Sequence, residues 1–318
     1  FGIQNSAYRS ALQLFIDMIT WKIKKSDPAI IKRLMEEFRA PEIIARVMAN
    51  RGLKSLTNSK TFFSPRLENL HDPFLMNNMD KAANVLQQNI INKKKVFIFG
   101  DYDVDGTTGS SALYLFLRSI NCDAQIYIPD RISEGYGLSE KGIENAINWG
   151  ANLIISCDCG INATKEVAYA KEKGLDIIVT DHHTPDQRLP LADAIINPNQ
   201  VDCEYPFKGL CGGGVIFKLM QALSKLLDLN DEVVYDYLDL ITLGTSSDVV
   251  PLSDENRIIV KEGLNKLSET QKPGLRALLE VSGLAENQLS VNGIIFRLAP
   301  IINAAGRLGD PNRVVKLF

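Results

Sequence analysis

The stretch that decides the fold is residues 97–110, FIFGDYDVDGTTGS: a run of apolar residues that breaks into Asp101, Asp103 and Asp105 at alternate positions, with no cation among them. The apolar part, Val96–Phe99, has the length and the β-branched, aromatic character of a strand buried on both faces. Gly-Thr-Thr and an apolar periodicity over 107–120 then predict a helix. The same rhythm repeats downstream. A helix over 80–92 precedes this strand, and strand 125–128, helix 139–148, strand 153–156, helix 163–173 and strands 177–180 and 194–196 follow it. Alternation of this kind predicts an α/β fold, a parallel sheet sandwiched by helices. Residues 28–50 carry helical periodicity interrupted at Pro41, and 52–77, with Pro65 and Pro73, read as a connecting segment. After Gly212 the pattern is helical throughout, over 214–228, 231–243, 255–268 and 273–283. The expected organisation is a helical N-terminal extension (18–77), the α/β domain from 78 and a helical C-terminal part.

Composition narrows the function. The chain has 318 residues, 45% hydrophobic and 23% charged, with a net charge of −3. These values suit a globular protein with a large core, and any nucleic-acid site has to be local rather than a property of the whole surface. No apolar run approaches the roughly 20 residues of a membrane span. Five cysteines (Cys122, Cys157, Cys159, Cys203 and Cys211), an odd number without dense spacing, read as reduced thiols, which points to a cytoplasmic protein. Cys157-x-Cys159 has no second pair to complete a zinc site and reads as small apolar residues at a strand end. The chain opens without methionine, and MITWKIKK at 18–25 reads as a more natural start, so 1–17 is expected to be a leader outside the functional protein. DPNRVVKLF stops inside a helical pattern, which predicts a fragment.

Four polar clusters stand just beyond strands or in loops: Asp101/Asp103/Asp105; Asp158 in ISCDCGINA; Asp181-His182-His183 in IIVTDHHTP; and Asp248 in LGTSSDVVPL. In a parallel sheet all strands end on one edge, and ligands bind there. The first three clusters should therefore converge. In extended chain, alternate Asp side chains share one face. Carboxylates with imidazole suit Mn²⁺ or Mg²⁺ better than zinc, and two such ions would supply the missing counter-charge. For a single Asp the plainer role is a helix N-cap, as Asp105 could be for helix 107–120, but that does not account for the joint set. His71, alone beside Pro73, reads as structural. Lys93-Lys94-Lys95 reads as a solvated turn, and Gly212-Gly213-Gly214 as either a phosphate cradle at a helix N-terminus or a close backbone contact.

In that order, GDYDVDG, DCG, TDHH and GTSSDVVPL resemble the four motifs of the DHH phosphoesterases. YIPDRISEGYGLS, INPNQ, CGGGVIFKL and RLAPIINAAGRLGDP are similar to stretches of the RecJ single-strand-specific exonucleases within that superfamily, from about Trp21 onward. The resemblance implies a two-metal phosphodiesterase that degrades single-stranded DNA from its 5′ end in repair and recombination. It implies Asp103, Asp105, Asp158, His182 and Asp248 as metal ligands, Asp158 bridging the ions, and Asp101 as a further ligand. His183 would face the scissile phosphate, with Asp181 orienting histidine. Arg131, Tyr136 and Arg307 match positions that hold nucleic acid. Members of the family continue into a second domain that closes over substrate and into a nucleic-acid-binding barrel, neither of which this chain reaches. The competing readings are a relative acting on oligoribonucleotides, cyclic dinucleotides or pyrophosphate, and a non-catalytic scaffold.

Overall fold

A computed structural model describes residues 22–284, 289–308 and 312–318. The chain divides into two compact units, one ending at Ser64 and one running from Pro65 to Phe318. In the first, α1 (Pro28–Phe38) starts where Asp27 accepts a hydrogen bond from the Ala29 N–H at 2.8 Å and Pro28 opens the helix. It packs with α2 (Glu42–Asn50) and α3 (Leu56–Phe63) around Ile31, Leu34, Ala45, Met48 and Leu53. Helix α3 falls inside the segment read as a connector. Its sequence, LTNSKTFF, is poor in helix formers, and Phe63 packing on Phe38 at 5.5 Å helps to hold it.

The second unit is built on a five-stranded, all-parallel sheet: β1 (Val96–Gly100), β2 (Ala124–Tyr127), β3 (Leu153–Cys157), β4 (Asp176–Thr180) and β5 (Ala194–Ile196), in the order β2-β1-β3-β4-β5. Alternation along each strand sends side chains to two cores. Val96, Ile98, Leu153, Ile155 and Ile178 face one side, where α4 (Met79–Ile91), α5 (Val104–Ser119) and later helices cover them. Phe97, Phe99, Ile154, Ile177 and Val179 face the other, under α6 (Glu140–Trp149) and α7 (Thr164–Glu172). Each such aliphatic or aromatic side chain contributes about 1.5–3 kcal/mol on burial, which is why the strands tolerate almost no polar residue. The first core continues into α8 (Gly212–Leu226), α9 (Leu238–Ser247), α10 (Asp254–Ser268), α11 (Pro273–Val281), α12 (Ala299–Leu308) and α13 (Asn312–Leu317).

All five cysteines are buried and unpaired. His71 is structural: its N–H donates to Glu255 Oε1 at 3.0 Å and its Nε2 pairs with Asp254 Oδ1 at 2.9 Å. Lys218, itself fully buried, reaches the same Glu255 at 2.9 Å.

Candidate metal centre

The strand order reverses at β1, which lies between β2 and β3, and that is where an open parallel sheet leaves a crevice beyond its carboxyl ends. The first residue past each of four strands stands on that edge: Asp101 after β1, Asp158 after β3, Asp181 after β4 and Asn197 after β5. The ladder extends one step beyond the strands to hold them in line. Asp101 N–H donates to Cys157 O, Asp158 N–H to Thr180 O and Asp181 N–H to Ile196 O, each at 3.1 Å. Asp158 sits at φ +64°, a left-handed conformation that Asp tolerates better than most residues.

Around this row the acidic and imidazole groups gather into three overlapping sets, each with ligand atoms mutually within 4.8 Å: Asp101/Asp103/Asp158, Asp158/His182/His183 and Asp105/His182/Asp248. Asp158 and His182 each belong to two sets. His182 Nε2 lies 3.1 Å from Asp158 Oδ1 and 3.6 Å from Asp248 Oδ2. Asp248 is brought in by α9, which packs on α5, as the residue just past that helix's end.

The alternating aspartates do not share one face of an extended chain. Helix α5 starts at Val104, three residues earlier than its sequence pattern indicates, because Asp103 rather than Asp105 is the N-cap, accepting from Gly106 N–H at 3.0 Å. Asp105 lies in the first turn and faces α8. Its two oxygens accept the Gly212 and Gly213 N–H groups at 2.6 and 3.0 Å. The glycine run is therefore an anion cradle as well as a close contact, and the anion is a side chain of the protein itself. The approach is possible only without a side chain: a Cβ on Gly212 would fall 2.5 Å from Asp158 Oδ1, and one on Gly244 would overlap Asp105 Oδ1.

Electrostatically the cluster is unfavourable as it stands. Burial, reinforced by the charge of Asp103, pushes Asp101 and Asp105 up to about 7. Burial and then the neighbouring carboxylates raise Asp158 well above the usual range, and burial also raises Asp103. Burial lowers His182. Asp181 behaves differently. Burial would raise it, but the 2.7 Å hydrogen bond from His183 Nδ1 and the N–H donors of Ile161, His182 and His183 hold it below its ordinary value. The same hydrogen bond raises His183. The buried oxygens Asp101 Oδ1, Asp158 Oδ1 and Asp248 Oδ2 have no hydrogen-bond partner. Such oxygens are costly unless a cation completes them. An all-oxygen set with imidazole fits a hard divalent ion, and none of the three sets includes a cysteine.

Comparison with known proteins agrees with this geometry. Residues 95–245 match the model described as DHH family, N-terminal domain. That segment holds the whole sheet and, of the clustered acidic and imidazole residues, all but Asp248. It is 40% identical over 298 residues to the single-stranded-DNA-specific exonuclease RecJ of Bacillus subtilis (strain 168), covering 94% of this chain and 37% of that protein. Against the enzyme of the same name from Thermus thermophilus it is 35% identical over 258 residues, 80% of this chain and 37% of that one. The crystal structure of the Thermus thermophilus RecJ in complex with Mn²⁺ superimposes with a TM-score of 0.79 at 30% identity, over 95% of this chain and 42% of that one. A second crystal structure, of exonuclease RecJ bound to manganese, gives 0.70 at 34% identity, over 76% and 60%. The chain thus spans well under half the length of these two curated relatives.

Beside the acidic row stands an aromatic ladder. Tyr136 is half exposed, and its hydroxyl lies 3.1 Å from Asp158 O and 3.3 Å from His183 Nδ1. Its ring meets those of His183 and Tyr102 edge-on at 5.8 and 6.4 Å, and the Arg131 guanidinium lies 5.1 Å from the Tyr102 ring centre. A cavity of about 320 Å³, lined in part by Tyr136, Leu138, Ile161 and His183, opens here. Glu134 shapes the loop that carries Arg131 and Tyr136, accepting from Tyr127 Oη at 2.7 Å, Ser139 Oγ at 2.9 Å and Asp130 N–H at 3.1 Å. Arg307 lies on α12, with its side chain outside the described residues. Tyr102 and the Asp105 cradle escaped the reading of the sequence. Tyr102 stands between two aspartates, and an aromatic inside a ligand motif is the signal that marks it.

Proposed function

We propose that this chain is the metal-binding catalytic part of a cytoplasmic phosphodiesterase that degrades single-stranded DNA from the 5′ end in repair and recombination. The observation that carries the reading is the set of buried carboxylate oxygens without hydrogen-bond partners, gathered with His182 into overlapping ligand sets at the switch point of the sheet. The names and bound manganese of the similar proteins support it. Asp101, Asp103, Asp105, Asp158, His182 and Asp248 would hold two Mn²⁺ or Mg²⁺ ions, with Asp158 shared. Bound there, the pair would lower the pKa of an attacking water and offset charge on the phosphate. The protein's own groups do the rest. His183, whose ring Asp181 orients through the hydrogen bond at Nδ1, has its other ring nitrogen left to present an N–H to a phosphate oxygen. Arg131, Arg307 and the Tyr102/Tyr136 rings hold the strand. Unpaired bases can stack on such rings and paired ones cannot, which favours single strands. Chelation of metal should abolish digestion of a 5′-labelled single strand, and a duplex of the same sequence should be spared. Digestion that persists in chelator, or that attacks the duplex equally, would overturn the proposal. No helix among the described residues is long and apolar enough to cross a membrane.

A further inference from the structure

The row of strand-end residues has a fourth member, Asn197, that carries no charge and cannot counter a carboxylate. Its surroundings show what it does. Asn197 is fully buried, and its Nδ2 donates to the His183 carbonyl at 2.9 Å. Its Oδ1 accepts the Asn199 N–H at 2.7 Å, closing a tight turn. That turn delivers the Asn199 side chain to the preceding carbonyl: Asn199 Nδ2 donates to His182 O at 2.6 Å. Carbonyl oxygens only accept, so the orientation of both amides is dictated by their partners. The turn is itself pinned, Lys208 Nζ holding Pro198 O at 2.7 Å and Gln200 Nε2 holding Asn197 O at 3.1 Å.

The two histidines are thus gripped from opposite edges of their peptide units. Asp181 takes both N–H groups, at 2.7 and 3.1 Å, and the two asparagines take both carbonyls. His182 and His183 stand on a loop, where backbone freedom would otherwise let the rings, 4.4 Å apart, swing off the carboxylates. We propose that Asn197 and Asn199 are positioning residues, which clamp the His182–His183 backbone and so aim both imidazoles at the acidic row before any ion or substrate arrives. The inference deepens the metal-centre reading and rests on it.

Asn199 is only partly buried, so N199A should fold, with its melting temperature within about 3 °C of the parent. Partners that orient a ligand are worth roughly 10–100-fold in affinity or rate. Manganese affinity measured by calorimetry should accordingly fall about tenfold or more, and kcat on a single-stranded substrate should fall with KM within about twofold. The chain has only three histidines, so ring NMR signals in the metal-free protein are readily resolved. In N199A the His182 and His183 signals should broaden or split, while the His71 signals stay as they are. Unchanged ring signals and affinity would overturn the clamp. So would a general loss, with His71 disturbed and melting lowered in step, because that marks a merely structural residue. If the parent chain binds manganese and does not hydrolyse DNA, the proposed activity fails, while the affinity and ring signals still decide the clamp.

Discussion

Asp158 concentrates the chemistry of the site in one side chain. It is buried, held in a left-handed backbone conformation, beset by other carboxylates, and shared between two of the three ligand sets. Asn keeps both the shape and the tolerance of that conformation while removing the charge. D158N should therefore raise the melting temperature of the metal-free protein by about 2–4 °C, worth roughly 1 kcal/mol. Loss of a shared ligand should cost on the order of 100-fold or more in manganese affinity. Differential scanning calorimetry and titration check the two halves separately. The pH dependence follows from Asp101 and Asp105, raised from an ordinary 3.8 to about 7. Between those values the folded protein binds more protons than the unfolded chain, so metal-free stability is greatest below about pH 4 on this account and falls as pH rises through 7. Metal needs the ionised form, so manganese affinity should rise with pH, by about tenfold or more between pH 6 and 8. Denaturant melts with and without manganese across that range would show opposite trends.

At the level of elements, two devices prepare the site. The first is the N-terminus of α8 against Asp105, with Gly212 in van der Waals proximity to Asp158. G212A should destabilise the protein by about 1–3 kcal/mol through overpacking and abolish measurable manganese binding, since relief requires Asp158 to move. The second is the Glu134 loop. E134A should weaken single-strand binding several-fold, through loosening of Arg131 and Tyr136, and leave manganese affinity within about twofold, as fluorescence anisotropy and calorimetry can establish. Elements were unequally legible in the sequence. Strands β1, β3, β4 and β5 follow their apolar runs to within a residue, because burial on both faces leaves no room for another pattern. The start of α5 was not legible, since Asp101, Asp103 and Asp105 are all competent N-caps and only tertiary contact with α8 decides which one caps. Helix α3 was missed for a related reason, its propensity being weak and its packing invisible in one dimension.

For the whole molecule, the convergence of Asp101, Asp158 and Asp181 was legible because a parallel sheet puts all strand ends on one edge. The strand order was not, nor was the arrival of Asp248 from the end of α9, which depends on how the C-terminal helices fold back over the first core. Residues 65–77 pack with the second unit, Leu67 and Leu70 on its core and His71 on Glu255. The central claim is that these distant segments form one site for two ions sharing Asp158. The most direct measurement is an anomalous difference map from manganese-soaked crystals. Two peaks about 4 Å apart are expected, both touching Asp158, with His182 and Asp248 on one of them and Asp101 or Asp103 on the other. A single peak, or manganese bound away from Asp158, would contradict it.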